Sequence, residues 1–179
     1  LTGVRACQHG AHTLCLRGRN VGFARAAGAA ALLAMGARWL AFSDADTRVS
    51  EAWLAEQISL GADAVCGTVS VDDWSCHGDS APWLREHFGK NYRDVDGHSH
   101  VHGANLGVSA SAYRRAGGFK HLRCCEDRHL VDALAASGAR IAWSARPRVV
   151  TSARRDMRAH GGFGSHLEQI AATHAGAWA

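Results

Sequence analysis

The run Arg38 to Ser43 (Arg-Trp-Leu-Ala-Phe-Ser) constrains this chain more than any other stretch: it is short, mostly apolar, and delivers two carboxylates, Asp44 and Asp46, at its far end. An apolar run of that length, bounded by turn residues, reads as a strand buried in a sheet. Before it, Val21 to Met35 is rich in Ala and Leu and reads as a helix stopped by Gly36. After it, Ser50 caps a helix through Leu60 that ends at Gly61, and Asp63 to Val71, rich in Val and Thr, reads as a second strand. Helices alternating with strands imply an α/β layered domain, a mixed but mostly parallel sheet flanked by helices. In such sheets ligands bind beyond the carboxyl ends of the strands, which is where Asp44 and Asp46 fall.

The remainder continues the alternation. Asp72 to His102 is polar and irregular, with a short helix near Ala81 to Phe88. Ser109 or Ser111 caps a short helix ending at Gly117-Gly118, and Glu126 to Ser137 is a helix stopped by Gly138. Arg140 to Ser144 and Arg148 to Thr151 read as two short strands, and the tail from Gly162 reads as a helix. With no internal repeat and no low-complexity linker, residues 1–179 read as a single domain.

Charge and cysteine usage narrow the function classes. A net charge of +4 with scattered Lys and Arg lacks the continuous basic face and interleaved aromatics of a nucleic-acid binder, so no nucleic-acid partner is expected. The basic cluster from Arg146 to Arg158 suits a smaller anion such as a phosphate. Six Cys in a chain of this size follow no metal-finger spacing and read as reduced thiols, which places the expectation in the cytoplasm. No uninterrupted apolar run reaches the ~18 residues of a spanning helix.

Four constellations could carry chemistry. Asp44-Ala45-Asp46 after a buried strand can aim two oxygen donors into one crevice, where they suit Mg²⁺ or Mn²⁺ bound with a phosphate; the plain alternative is a pair of turn-capping acids. Glu126-Asp127 at a helix start can offer a carboxylate to accept a proton, or can simply complement the helix dipole. Gly103, Ala104 and Asn105, within His102 to Gly107, suggest close backbone approach to a ligand, or a plain turn. Asn20 and Arg25 open a helix that could face an anion, or a solvated helix start. His98, His100 and His102 alternate, share one face of an extended strand, and read as a polar pocket wall.

Taken in order, these stretches resemble family 2 glycosyltransferases of the GT-A (Rossmann-like) fold. The matching residues are Asn20-Val21-Gly22 through Arg25-Ala26, Trp39 through Asp46, His102-Gly103-Ala104-Asn105-Leu106-Gly107 through Gly117-Gly118-Phe119, and Glu126-Asp127. The resemblance implies a nucleotide-diphosphate sugar as donor and Mn²⁺ or Mg²⁺ as cofactor. Asp46 would bind the metal and Asp44 the ribose or the metal. Asp127 would be the base of an inverting transfer, with Glu126 supporting it. Gly103, Ala104 and Asn105 would border the sugar and acceptor pocket, and Asn20 and Arg25 would lie near the nucleotide. His160 or His166 would add a metal ligand, and Thr151 to Arg155 would close over the diphosphate.

The same resemblance implies an N-terminally incomplete domain. Such enzymes open with a nucleotide-binding strand-helix-strand, yet Asp44 arrives about 50 residues early, and Thr2 to Leu16 could supply only one strand. The acceptor is an unspecified hydroxyl on a small molecule, glycan or lipid-linked glycan, which leaves room for peripheral contact with the inner face of a membrane. The competing readings are a non-catalytic nucleotide-sugar-binding remnant of such an enzyme and a metal-dependent hydrolase using the histidines.

Overall fold

A computed structural model describes residues 2–155 together with Leu167 and Ile170. Its elements run α1 (Thr2–Gln8), α2 (Val21–Ala34), β1 (Trp39–Phe42), α3 (Trp53–Ser59), β2 (Ala64–Ser70), a 3₁₀ segment (Ser75–Ser80), α4 (Ala81–Asn91), β3 (Leu106–Ser109), α5 (Ala110–Arg115), α6 (Glu126–Ala136) and β4 (Ile141–Val150). The strands form one open mixed sheet in the order β1-β3-β2-β4.

The mixed α/β architecture matches the expectation, but the strand directions differ from it. β3 pairs antiparallel with both β1 and β2, and only β2 with β4 is parallel. The mostly parallel sheet is therefore corrected to one in which two of three neighbouring pairs are antiparallel. The cause is β3 itself: Leu106-Gly107-Val108-Ser109 follows a Gly-Ala-Asn sequence that reads as a turn, yet it occupies the centre of the sheet. A second correction concerns the N-terminal stretch, where the structure forms a helix over Thr2–Gln8 in place of a strand. The two short strands expected near the C-terminus are one, Ile141–Val150, whose pairing with β2 slips between Gly67 and Val69. Pro147 is accommodated because β4 is an edge strand.

Side-chain alternation sorts the two faces of the sheet. Leu40 and Phe42 of β1, Ala64 and Cys66 of β2, and Leu106 and Val108 of β3 pack with Ala29 of α2, Ala112 and Tyr113 of α5, Phe119, and Leu130, Val131 and Leu134 of α6. The opposite face carries α3, with Trp53 against Val69 and Val149. Gly107 belongs to that second face: a Cβ there would stand 2.8 Å from the Trp39 ring and press on the Gln57 carboxamide. Only a residue without a side chain lets α3 seat this close. A smaller cluster of Trp74, Leu84, Ala153 and Leu167 joins the 3₁₀ segment and α4 to the chain beyond β4.

Two helix starts carry side-chain caps, whereas the cap expected at Ser50 is corrected: α3 starts after Ala52 with no side-chain cap. Asn20 accepts from the Phe23 N–H at 2.8 Å to start α2, and Ser109 accepts from the Ala112 N–H at 3.2 Å to start α5. Gly36, Gly61 and Gly138, each past a helix end, all adopt positive φ. All six cysteines are free thiols, and burial pushes the Cys66 thiol up to about 12, so it packs as an inert apolar group. Among the described residues, no helix is long and apolar enough to cross a membrane.

Candidate active site

Because β1, β2 and β4 run one way and β3 runs against them, the carboxyl ends of three strands lie beside the amino end of β3. The segments leaving that edge are tied together. Arg48 bridges Val150, the Thr47 and Thr151 hydroxyls meet at 2.9 Å, and Arg48 forms an ion pair with Asp72.

Arg25 is the node of the site. Its Nη2 donates to Asp44 Oδ1 at 2.5 Å, its Nε to Glu126 Oε1 at 3.0 Å, and its Nη1 to the Gly103 carbonyl at 2.7 Å. All four sequence constellations are thereby joined, the other three through the Arg25 guanidinium. The planar five-donor fork of Arg suits such three-way bridging, where a Lys ammonium would not span it. Gly103 is fitted to the contact, since a Cβ there would lie 2.5 Å from the Arg25 Nη2.

The acids of α6 stand on a strained start. Cys125, which precedes Glu126, has φ 59°, and it is the one non-glycine residue with positive φ among the described residues. Asp127 Oδ2 accepts from the Gly103 N–H at 2.8 Å, and its Oδ1 accepts from the Arg128 N–H at 2.7 Å. Glu126 is buried. Burial pushes its carboxyl up and the Asp127 charge adds to that, while its own backbone N–H and the Arg25 guanidinium pull the other way.

Asp46 is reached from the other side, by Arg154 Nε at 2.7 Å, from the chain that follows β4. By donor chemistry the two aspartates fit a hard divalent ion. Asp44 Oδ2 and Asp46 Oδ1 have no partner among the described residues, and the side chains are 44% and 30% exposed. Two carboxylates still need water or phosphate oxygens to complete a coordination shell. No group of three or more His, Cys, Asp and Glu is placed to hold a metal among the described residues, and His160 and His166 lie outside them.

Three candidates sit elsewhere or are otherwise engaged. Asn20 spends its carboxamide on the α2 cap and on the His121 carbonyl, at 2.8 Å each. Ala104 is buried. Asn105 is fully buried on the α3 face: Trp53 Nε1 donates to its Oδ1 at 2.8 Å, and its Nδ2 donates to the carbonyls of Thr68 and Pro147. Asn105 is thus a polar strut tying β3, β2, β4 and α3 together.

The alternating histidines do not lie on a strand. They follow α4 in an irregular segment, stacked beside Tyr92, whose ring lies 4.2 Å from that of His100. Sequence reasoning did not pick out Tyr92, and a single Tyr at a helix end carries no signal. It also missed the Arg48–Asp72 pair. The chain matches no protein-family model and no curated protein.

Proposed function

We propose that this chain carries out, or belongs to a protein that carries out, inverting and metal-dependent transfer of a sugar from a nucleotide-diphosphate sugar to an acceptor hydroxyl, on a GT-A-like scaffold. The observation that carries the reading is the Arg25 bridge. It brings Asp44, from the Asp-Ala-Asp turn, into one hydrogen-bonded network with Glu126 and, through Gly103, with Asp127.

The charge balance supports metal dependence. Four carboxylates, Asp44, Asp46, Glu126 and Asp127, share the site with two guanidiniums, Arg25 and Arg154. An anionic diphosphate would be repelled there without a cation. Asp44 and Asp46 would hold Mn²⁺ or Mg²⁺, which when bound neutralises charge on the departing diphosphate. Arg154 lies beside Asp46, so its guanidinium can turn from that carboxylate to a phosphate oxygen. Asp127 is oriented by two backbone N–H groups, and each oxygen keeps a second lone pair, enough to accept the acceptor's proton as its oxygen attacks the anomeric carbon. Glu126, fixed against Arg25, holds the start of α6 in place for that role.

One observation favours a second reading, a nucleotide-sugar-binding remnant without catalysis: each aspartate of the turn is already paired with an arginine. Calorimetry with a panel of nucleotide-diphosphate sugars, with and without Mn²⁺, combined with detection of released nucleoside diphosphate, decides between them. Metal-dependent binding with release supports the transferase. Metal-dependent binding without release in the presence of hydroxyl acceptors supports the remnant. Absence of any metal-dependent binding sinks both, and tightly held Zn²⁺ would point to a hydrolase instead.

A further inference from the structure

We propose that His100 and His102, with His98 stacked beside them, form an acid-sensitive latch, which holds the segment from Tyr92 to Gly103 closed while both imidazoles are neutral and releases it when they take up protons. The inference does not depend on the reaction assigned above.

Hydrogen-bond directions carry it. The His100 backbone N–H donates to His98 Nδ1 at 3.0 Å, and the Arg93 backbone N–H donates to His100 Nε2 at 3.2 Å. A backbone N–H can only donate, so both ring nitrogens must offer lone pairs, which an imidazolium does not have. Tyr92 Oη accepts from the Val69 N–H at 2.9 Å and shares a hydrogen bond with His102 Nε2 at 3.0 Å. The closed segment therefore uses a ring lone pair on His98 and on His100.

The rings are also neighbours. His98 and His100 stack with centroids 5.4 Å apart, and His100 and His102 with centroids 5.9 Å apart, so one positive charge opposes the next. The surroundings mostly reinforce this. Arg93 on the segment and Arg128 of α6, which reaches the Ser99 carbonyl, present positive charge to the cluster. Asp94 is paired with Arg148 of β4, at 2.7 Å. Asp96 faces His98, but it is committed to the Ser144 hydroxyl and the Ala145 N–H of β4, both at 2.8 Å, with Arg146 nearby. Trp143 presents an apolar edge to His98, and Asp127 and the Cys66 thiol lie toward Arg128. His98 is 2% exposed, and its Nε2 has no partner among the described residues. Burial holds His102 down at about 4, and burial likewise lowers His100.

The sign follows. Groups whose folded pKa lies below the unfolded value of about 6.5 contribute stability that is fully present above that pH and is lost as pH falls toward the folded values. The segment ends on Gly103, whose N–H holds Asp127 and whose carbonyl holds Arg25, so its release is felt at the candidate site.

Segment-resolved hydrogen exchange at pH 7.5 and 5.0, corrected for intrinsic rates, tests the latch in the full chain. Protection across residues 92–103 should fall about tenfold or more at pH 5.0 relative to the sheet, one tenfold step per unit of depressed pKa. The double variant His100→Gln and His102→Gln supplies an amide oxygen close to each Nε2 but cannot titrate, and its protection should change by less than about threefold. Unchanged wild-type protection, or an equal loss in the variant, overturns the proposal. Should the double variant not fold, NMR titration of the wild-type His100 and His102 imidazoles decides. Midpoints below the ordinary value, coincident with opening of the segment, support the latch, and midpoints at or above it refute it.

Discussion

The Asp127 carboxylate closes a 2.8 Å hydrogen bond onto the backbone N–H of Gly103, and through it the start of α6 is fixed to the segment that enters β3. Replacing Asp127 with Asn keeps the shape but offers one acceptor where two are used, so either the Gly103 or the Arg128 N–H must face an NH₂ group. Asp127→Asn should lose about 1–2 kcal/mol of stability in urea denaturation. Under the proposed reaction it should also lose activity by about a hundred- to ten-thousand-fold, with the folded protein still present.

Arg25→Ala should be the most damaging single change at the site. It leaves Glu126, with a side chain only 7% exposed, without its cation. Breaking such a buried pair costs about 3 kcal/mol or more. Glu126 already has a raised pKa and would be raised further, so the variant's deficit should be greatest at neutral pH and shrink as pH falls and the carboxyl protonates. Adding Glu126→Gln should recover part of the loss at pH 7. Denaturation curves at several pH values report both effects, and a loss independent of pH would contradict the buried-pair account.

Asn105→Asp tests whether this residue is a strut. The substitution turns a carboxylate toward the Thr68 and Pro147 carbonyls, both of which now receive hydrogen bonds. About 3 kcal/mol or more of stability should be lost at neutral pH, and less at acid pH, where a protonated carboxyl can donate to one carbonyl. Thermal melts at pH 4 and pH 7 provide the comparison.

Tyr92→Phe removes one hydroxyl that serves two partners. The Val69 N–H loses its acceptor and His102 loses the hydroxyl beside its Nε2, while the ring stack survives. A stability loss of about 1–2 kcal/mol is expected. Urea denaturation of the two proteins measures it.

The parts legible in the sequence are those where local chemistry and global position agree. α2 is an Ala- and Leu-rich run stopped at Gly36, and β1 is a buried apolar run, so both emerged close to their observed limits. α6 announced itself through Glu126-Asp127 and Gly138. β3 did not, because a four-residue strand containing Gly107 has no periodicity to read, and its direction is set by neighbours distant in the chain. Asn105 illustrates the same limit at the level of a side chain. A buried polar strut and a ligand-facing amide look identical in sequence, and only its partners Trp53, Thr68 and Pro147 separate them. Arg25 was legible as an anion-facing residue, but not as the junction of Asp44, Gly103 and Glu126.

The central place of β3 also sets a schedule for synthesis. β1 and β2 share no hydrogen-bonded strand partner until residues 106–109 have been made, since β3 lies between them and β4 comes later still. A nascent chain must therefore emerge through Ser109 with two apolar strands unpaired, and then close them in one step over long loops. Chaperone demand during translation should peak just before Ser109 clears the ribosome and fall sharply once it has.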